Sequence, residues 1–203
     1  MRLKYINYYL KKKYKNLLLQ RNINDIIGAN RQKGLKYHME QRIDKVNYYL
    51  NIAKAVADRS TCLRKHVGCV IVNNDEIIST GYNGAPRGRK NCNELGYCTK
   101  KKFFPNLRHA GYDACRSVHA EQNAIISARR KDMIGATLYL TIYNPETGEY
   151  ENGSNSCQMC RKLIINAGIE KIIVGENNEM GYKIIDIQEW IDNDDLLEGK
   201  ITY

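Results

Sequence analysis

"VGCVIVNNDEIISTGYNG", residues 67–84, decides how the rest of the chain must fold. An apolar, β-branched run ends at Asn73, Asn74 and Asp75, residue types that favour a turn. A second strand-forming run follows at 76–80. Two runs joined by so short a turn predict an antiparallel hairpin. Downstream, "ATLYLTI" (136–142) and "KIIV" (171–174) read as further strands, and "YKIIDI" as an edge strand near the end. Helical patterns separate them. "CQMCRKLIINAG" (157–168) is a helix ended by Gly168, and a short helix surrounds "QEWIDN". Strands alternating with helices predict an α/β layered fold. Because the first two strands are antiparallel, the sheet is mixed.

Upstream of the hairpin, Ile43, Val46, Leu50, Ala53 and Ala57 recur at spacings of three and four, one buried stripe of a helix beginning near Gln41. Between the hairpin and the next helix, residues 82–114 hold several glycines, two of the three prolines and little periodicity. They predict a long loop, and loops of that length usually carry function. A helix follows over about 119–130. The turn-rich "YNPETGEYENGSNS" (143–156) reads as a small hairpin excursion.

The chain's 203 residues suffice for one domain with a sizeable core. No apolar run approaches the ~20 residues of a membrane span, and the N-terminus lacks the pattern of a signal peptide. The expected location is therefore the cytoplasm. The net charge of +10 is uneven. Residues 1–38 carry ten Lys or Arg and one acidic residue, Asp25, which leaves 22 basic and 21 acidic residues for the other 165. Composition thus predicts a solvated, poorly ordered basic extension over 1–38 and a domain over 39–203, with Met39 as a candidate start. An RNA-binding or oligomer-contacting arm is the alternative reading of the extension. The nearly neutral body argues against nucleic acid as a partner.

Seven cysteines, an odd number, without a secretion signal do not predict a disulfide framework. Cys157 and Cys160 form a C-x-x-C at a helix start, where residues three apart share a face and the helix terminus favours thiolates. Alone, this is equally a redox pair or two buried cysteines. His119, also at a helix start, separates the readings. Three ligands with an open fourth position are the pattern of a catalytic zinc. Such an ion lowers the pKa of bound water to about 7. Glu121, in "VHAEQNAII" (118–126), falls where a core residue is expected. Burying an unpaired carboxylate costs several kcal/mol, so Glu121 needs a partner. Facing the metal pocket as a proton carrier would supply one. H-x-E followed by P-C-x-x-C is the signature of zinc deaminases.

Over roughly residues 40–180 the chain resembles the cytidine and deoxycytidylate deaminase family, and its deoxycytidylate branch in particular. "STCLRKHVGCVIV", "IISTGYNGAPRG", "NC", "CRSVHAEQNAI", "GATLYLT" and "CQMCRKLIINAGI" come in the expected order. The resemblance implies a three-layer cytidine-deaminase-like fold, with a mixed sheet of about five strands flanked by helices. It implies a zinc-dependent hydrolase acting on a cyclic amidine, converting dCMP and water to dUMP and ammonia. His119, Cys157 and Cys160 are then the zinc ligands and Glu121 the proton shuttle, protonating N3 and then the leaving amine. Asn83, with Tyr82 beside it, resembles the residue that contacts sugar or base. A homo-oligomer, a hexamer regulated by dCTP and dTTP, is implied in the same way.

Two departures stand out. Ser156 occupies the place of the family's usual Pro, and the stretch before it is longer than usual, which bears on substrate identity more than on reaction type. Of the other five cysteines, Cys69 reads as a buried strand residue. Some family members bind a second, structural zinc through the positions of Cys62 and Cys92. Cys98 and Cys115 would complete such a site here, with His109 as a substitute ligand, and free thiols are the alternative. Two rival functions remain open: a base deaminase acting on tRNA or single-stranded nucleic acid, and a non-catalytic zinc-binding scaffold. Retention of Glu121 argues against the scaffold, which needs no general base.

Overall fold

The computed structural model describes residues 42–105, 114–193 and 197. The expectations for residues 1–38 and for His109 lie outside these. Helix α1 spans Lys45–Ala57, starting later than Gln41 because Asp44 caps it: the Asp44 carboxylate accepts from the Asn47 amide at 2.9 Å. Strands β1 (His66–Asn73) and β2 (Glu76–Tyr82) form the expected hairpin. Its turn places Asn74 and Asp75 at positive φ, a conformation that Asn and Asp tolerate better than most residues.

The 82–114 segment is less irregular than its sequence predicts. It contains two short helices, α2 (Cys92–Leu95) and α3 (Thr99–Phe103). Asn91 and Glu94 bracket the start of α2, where the Glu94 carboxylate accepts from both the backbone and the side chain of Asn91. The helix expected over 119–130 is broken in two, α4 (Ala120–Ile126) and α5 (Arg130–Met133). At the break, the Ser127 hydroxyl donates to the Asn123 carbonyl, four residues back, a contact that bends or ends helices. Strand β3 (Thr137–Tyr143), helix α6 (Gln158–Ala167), β4 (Lys171–Gly175), β5 (Tyr182–Asp186) and α7 (Ile187–Asp192) complete the described elements.

The strand order is β2-β1-β3-β4-β5, with β3 and β4 parallel and the other pairs antiparallel. The sheet is mixed, and β5 is an edge strand, as the sequence predicts. Alternation along the strands sorts two cores. Val70, Val72, Tyr139 and Ile173 face α1 through Tyr49, Leu50 and Ala53. Cys69, Ile71, Leu138, Leu140, Ile172 and Val174 face the opposite way, toward α4 and α6. Helix, sheet and helix thus form three layers. Among the described residues, no helix is long and apolar enough to cross a membrane.

Candidate active site

Two helix starts meet on the α4–α6 side of the sheet. His119 is the residue capping α4 and Cys157 the one capping α6, so both leave extended backbone at the same end of that layer. His119 is fixed by its own backbone, whose N–H donates to Gln122 Oε1 at 2.9 Å. Its ring Nδ1 lies 3.5 Å from Cys157 Sγ and 3.4 Å from Cys160 Sγ. Zinc bonds of about 2.3 Å to sulfur and 2.0–2.1 Å to nitrogen, set at tetrahedral angles, put such ligands about 3.5 Å apart. The three donors therefore fit a zinc ion as they stand. Among the described residues, theirs is the single group of three or more His, Cys, Asp and Glu ligand atoms lying within 4.8 Å of one another.

The electrostatics of the cluster suit a cation. Cys160 donates a hydrogen bond to Cys157, and that bond, with a further one from His119, pulls the Cys157 thiol far below its ordinary range. The same bond and burial push Cys160 above its ordinary range. Burial disfavours charge on His119, yet its hydrogen bond to Cys157 and the negative charge of Glu121 raise its pKa overall.

Glu121 lies in the first turn of α4 and is only 4 % exposed. Its Oε1 accepts a hydrogen bond of 2.9 Å from the Ser156 hydroxyl. Cys69 is fully buried in β1, as expected of a core thiol, and burial first, with Glu121's charge second, raises its pKa. The partners of the buried carboxylate are thus a serine hydroxyl and the Cys160 thiol, at the edge of the His119–Cys157–Cys160 cluster. The sequence marked Ser156 as a departure and gave no sign of this contact, which joins residues 35 apart.

A cavity of about 490 Å³ opens over the cluster, within the range of small-ligand sites. His119, Glu121, Cys157 and Asn83 line it. Asn83 is buried, its Oδ1 accepting from the Val67 amide at 2.9 Å and its Nδ2 donating to the Lys65 carbonyl at 3.0 Å. The amide keeps one donor and one acceptor for a ligand. Tyr82 is not among the lining residues; it is partly exposed, and its carbonyl accepts from Asn123 on α4. Sequence reading missed Arg64, Lys65 and Glu151, which also line the cavity. Lys65 and Glu151 pair at 3.0 Å and tie the 144–155 excursion to the loop before β1. That pair spans 86 residues of sequence, so no local pattern marks it.

Cys62, Cys92, Cys98 and Cys115 line the same cavity. Burial first and then the other three thiols raise the pKa of Cys92, and Cys62 and Cys98 act likewise on Cys115 after burial. They are neighbours, and among the described residues they form no second group of three or more at metal-ligand separations.

The pattern of the cytidine and deoxycytidylate deaminase zinc-binding region matches residues 43–176. The chain belongs to this family. It is 38% identical over 136 residues to a deoxycytidylate deaminase of Mycobacterium phage D29, an alignment covering 65% of this chain and 94% of that protein. A deoxycytidylate deaminase of Schizosaccharomyces pombe is 34% identical over 115 residues, 50% of this chain, and the match spans only 35% of the yeast protein. A deoxycytidylate deaminase of Enterobacteria phage T2 is 30% identical, with 65% of this chain and 80% of the phage protein aligned. A solved apo structure of a cyanophage S-TIM5 dCMP deaminase is similar over 66% of this chain and 84% of its own, at 25% identity and a TM-score of 0.45.

Proposed function

We propose that this chain hydrolyses the exocyclic amine of a pyrimidine deoxynucleotide, converting dCMP and water to dUMP and ammonia. The observation that carries the reading is a buried carboxylate, Glu121, beside a three-ligand cluster that leaves a fourth position for water. The names of the phage and yeast relatives support dCMP as substrate. Arg64 and Lys100 line the cavity, where Lys65 is paired with Glu151, and they suit an anionic substrate, a nucleotide rather than a nucleoside.

His119, Cys157 and Cys160 would hold the zinc. When bound, the ion supplies a Lewis acid that makes a water acidic near neutral pH. Glu121 takes the proton of the water that attacks C4 and delivers it to N3. Glu121 then takes the proton of the hydroxyl formed at C4 and passes it to the amine, so the C4–N bond breaks, ammonia leaves, a carbonyl remains at C4 and N3 keeps its proton. Asn83 contributes its spare donor and acceptor to the sugar or base, while Tyr82, its neighbour in the chain, lies outside the cavity lining. Incubating the zinc-loaded protein with dCMP, CMP, dCTP, deoxycytidine and a tRNA anticodon stem, and following ammonia, tests this. Release from the tRNA stem alone would favour the nucleic-acid reading.

Residues 39–203 form the catalytic unit in this reading, supported by a family match that starts at residue 43. A chain beginning at Met39 is expected to stay soluble and active on dCMP. A folded but inactive product would place residues 1–38 in the active assembly. We also infer a cytoplasmic homo-oligomer, consistent with the exposed Ile126 (84 %) and Ile134 (53 %) beside the site helices. Regulation by dCTP and dTTP belongs to the same inference.

A second, structural zinc on Cys62, Cys92, Cys98 and Cys115 is supported by their clustering and by the long connection they would cross-link. Zinc content of the purified protein distinguishes the cases. Two ions per chain are expected; Cys92→Ser then loses one and lowers Tm, while His119→Ala loses the other and abolishes ammonia release with the fold retained. One ion per chain with four reactive thiols removes the structural site.

A further inference from the structure

The family's usual residue before the first cysteine is proline, which has neither a hydroxyl nor an N–H. This chain has Ser156 there, 2 % exposed, with its hydroxyl 2.9 Å from Glu121 Oε1. The backbone around it is held by other means. Its N–H donates to Asn155 Oδ1 at 2.7 Å. Its carbonyl accepts from Arg161 Nε at 3.0 Å, and the Arg161 guanidinium lies over the Trp190 ring, 4.8 Å from the centroid. Arg161 belongs to α6 and Trp190 to α7, so two helices fix the segment where a proline ring would restrict φ.

We infer that Ser156 is a positioning residue for Glu121, holding one carboxylate oxygen in place so that the group meets water and substrate in a single orientation. A glutamate has three side-chain torsions, and a carboxylate free to rotate among them loses effective concentration at the reacting atoms. The hydroxyl restricts that freedom by holding Oε1, beside the Cys160 thiol that also hydrogen-bonds the carboxylate. This rests on the deaminase reading for its kinetic arm and on geometry alone for its structural arm.

Ser156→Ala removes the donor and adds no bulk. The expected result is a fall in kcat of roughly 10- to 100-fold, the range of a hydrogen bond to a charged group, with KM and zinc content unchanged. In a Glu121→Gln background, the same change is expected to cost less than ~2-fold, because a residue acting through Glu121 has nothing left to position. A crystal structure of the zinc-loaded wild type is expected to keep the Ser156–Glu121 bond, and that of Ser156→Ala to show the carboxylate turned or spread over several rotamers. A kcat within ~2-fold of wild type, equal losses in both backgrounds, or a wild-type crystal without the bond overturns the inference. If the wild type deaminates none of the cytosine substrates, the substrate reading fails and the two crystal structures still decide the role of Ser156.

Discussion

Glu121→Gln is expected to retain zinc and lose at least ~10²–10⁴-fold in the rate of ammonia release from dCMP, the share supplied by a positioned acid–base group. That loss corresponds to about 2.7–5.4 kcal/mol of barrier. The amide is nearly isosteric and can still accept from the Ser156 hydroxyl through its oxygen, so the first turn of α4 keeps its packing. It cannot take a proton from water or return one to N3. Metal analysis and thermal melting are expected to match the wild type, because His119, Cys157 and Cys160 are untouched. A variant that keeps its zinc and much of its rate would remove Glu121 from the chemistry. A variant that loses its zinc would make Glu121 part of the metal site.

That experiment probes the part of the molecule most legible in the sequence. His119, Glu121, Cys157 and Cys160 are readable because their spacing is local: one pair two residues apart at one helix start and one pair three residues apart at another. The folded chain only has to bring two such starts together. The sheet is legible for a similar reason, since β1 alternates Cys69 and Ile71 toward one face with Val70 and Val72 toward the other. Helices α2 and α3 were not readable, because four or five residues are too few to show a helical period. The break after Ile126 depends on one serine hydroxyl turning back to Asn123, a choice that propensity leaves open. Contacts that join distant segments were invisible altogether. Ser156 to Glu121 and Lys65 to Glu151 are of this kind. Both involve residues that line the cavity, so the candidate centre is more legible in the sequence than the cavity around it.

The placement of α4 depends on a glycine that carries no chemistry, and replacing it is expected to have the second large effect. Gly81 on β2 pairs with Cys69 and faces the backbone of α4. A Cβ at Gly81 would stand 2.2 Å from the Ala120 carbonyl oxygen and 2.4 Å from the Ala124 nitrogen. Both are backbone atoms, so no side-chain rotation relieves the clash. In Gly81→Ala, α4 must move outward by roughly 1 Å to restore van der Waals separation. His119 and Glu121 move with it, whereas zinc ligation tolerates only about 0.2 Å in its bonds. Overpacking of this kind costs about 3 kcal/mol, which for a domain of this size lowers Tm by roughly 6–12 °C. Zinc affinity and ammonia release are expected to fall with it. Gly68→Ala is the matched control. Its Cβ would stand 2.0 Å from the Ala53 carbonyl oxygen, a comparable clash against α1, which bears no metal ligand. The two variants are expected to lose similar thermal stability, while Gly68→Ala retains its zinc at temperatures where it is folded. Equal zinc loss in both would mean that the site responds to general loosening of the sheet and that close approach of α4 to β2 has no special part in holding the metal.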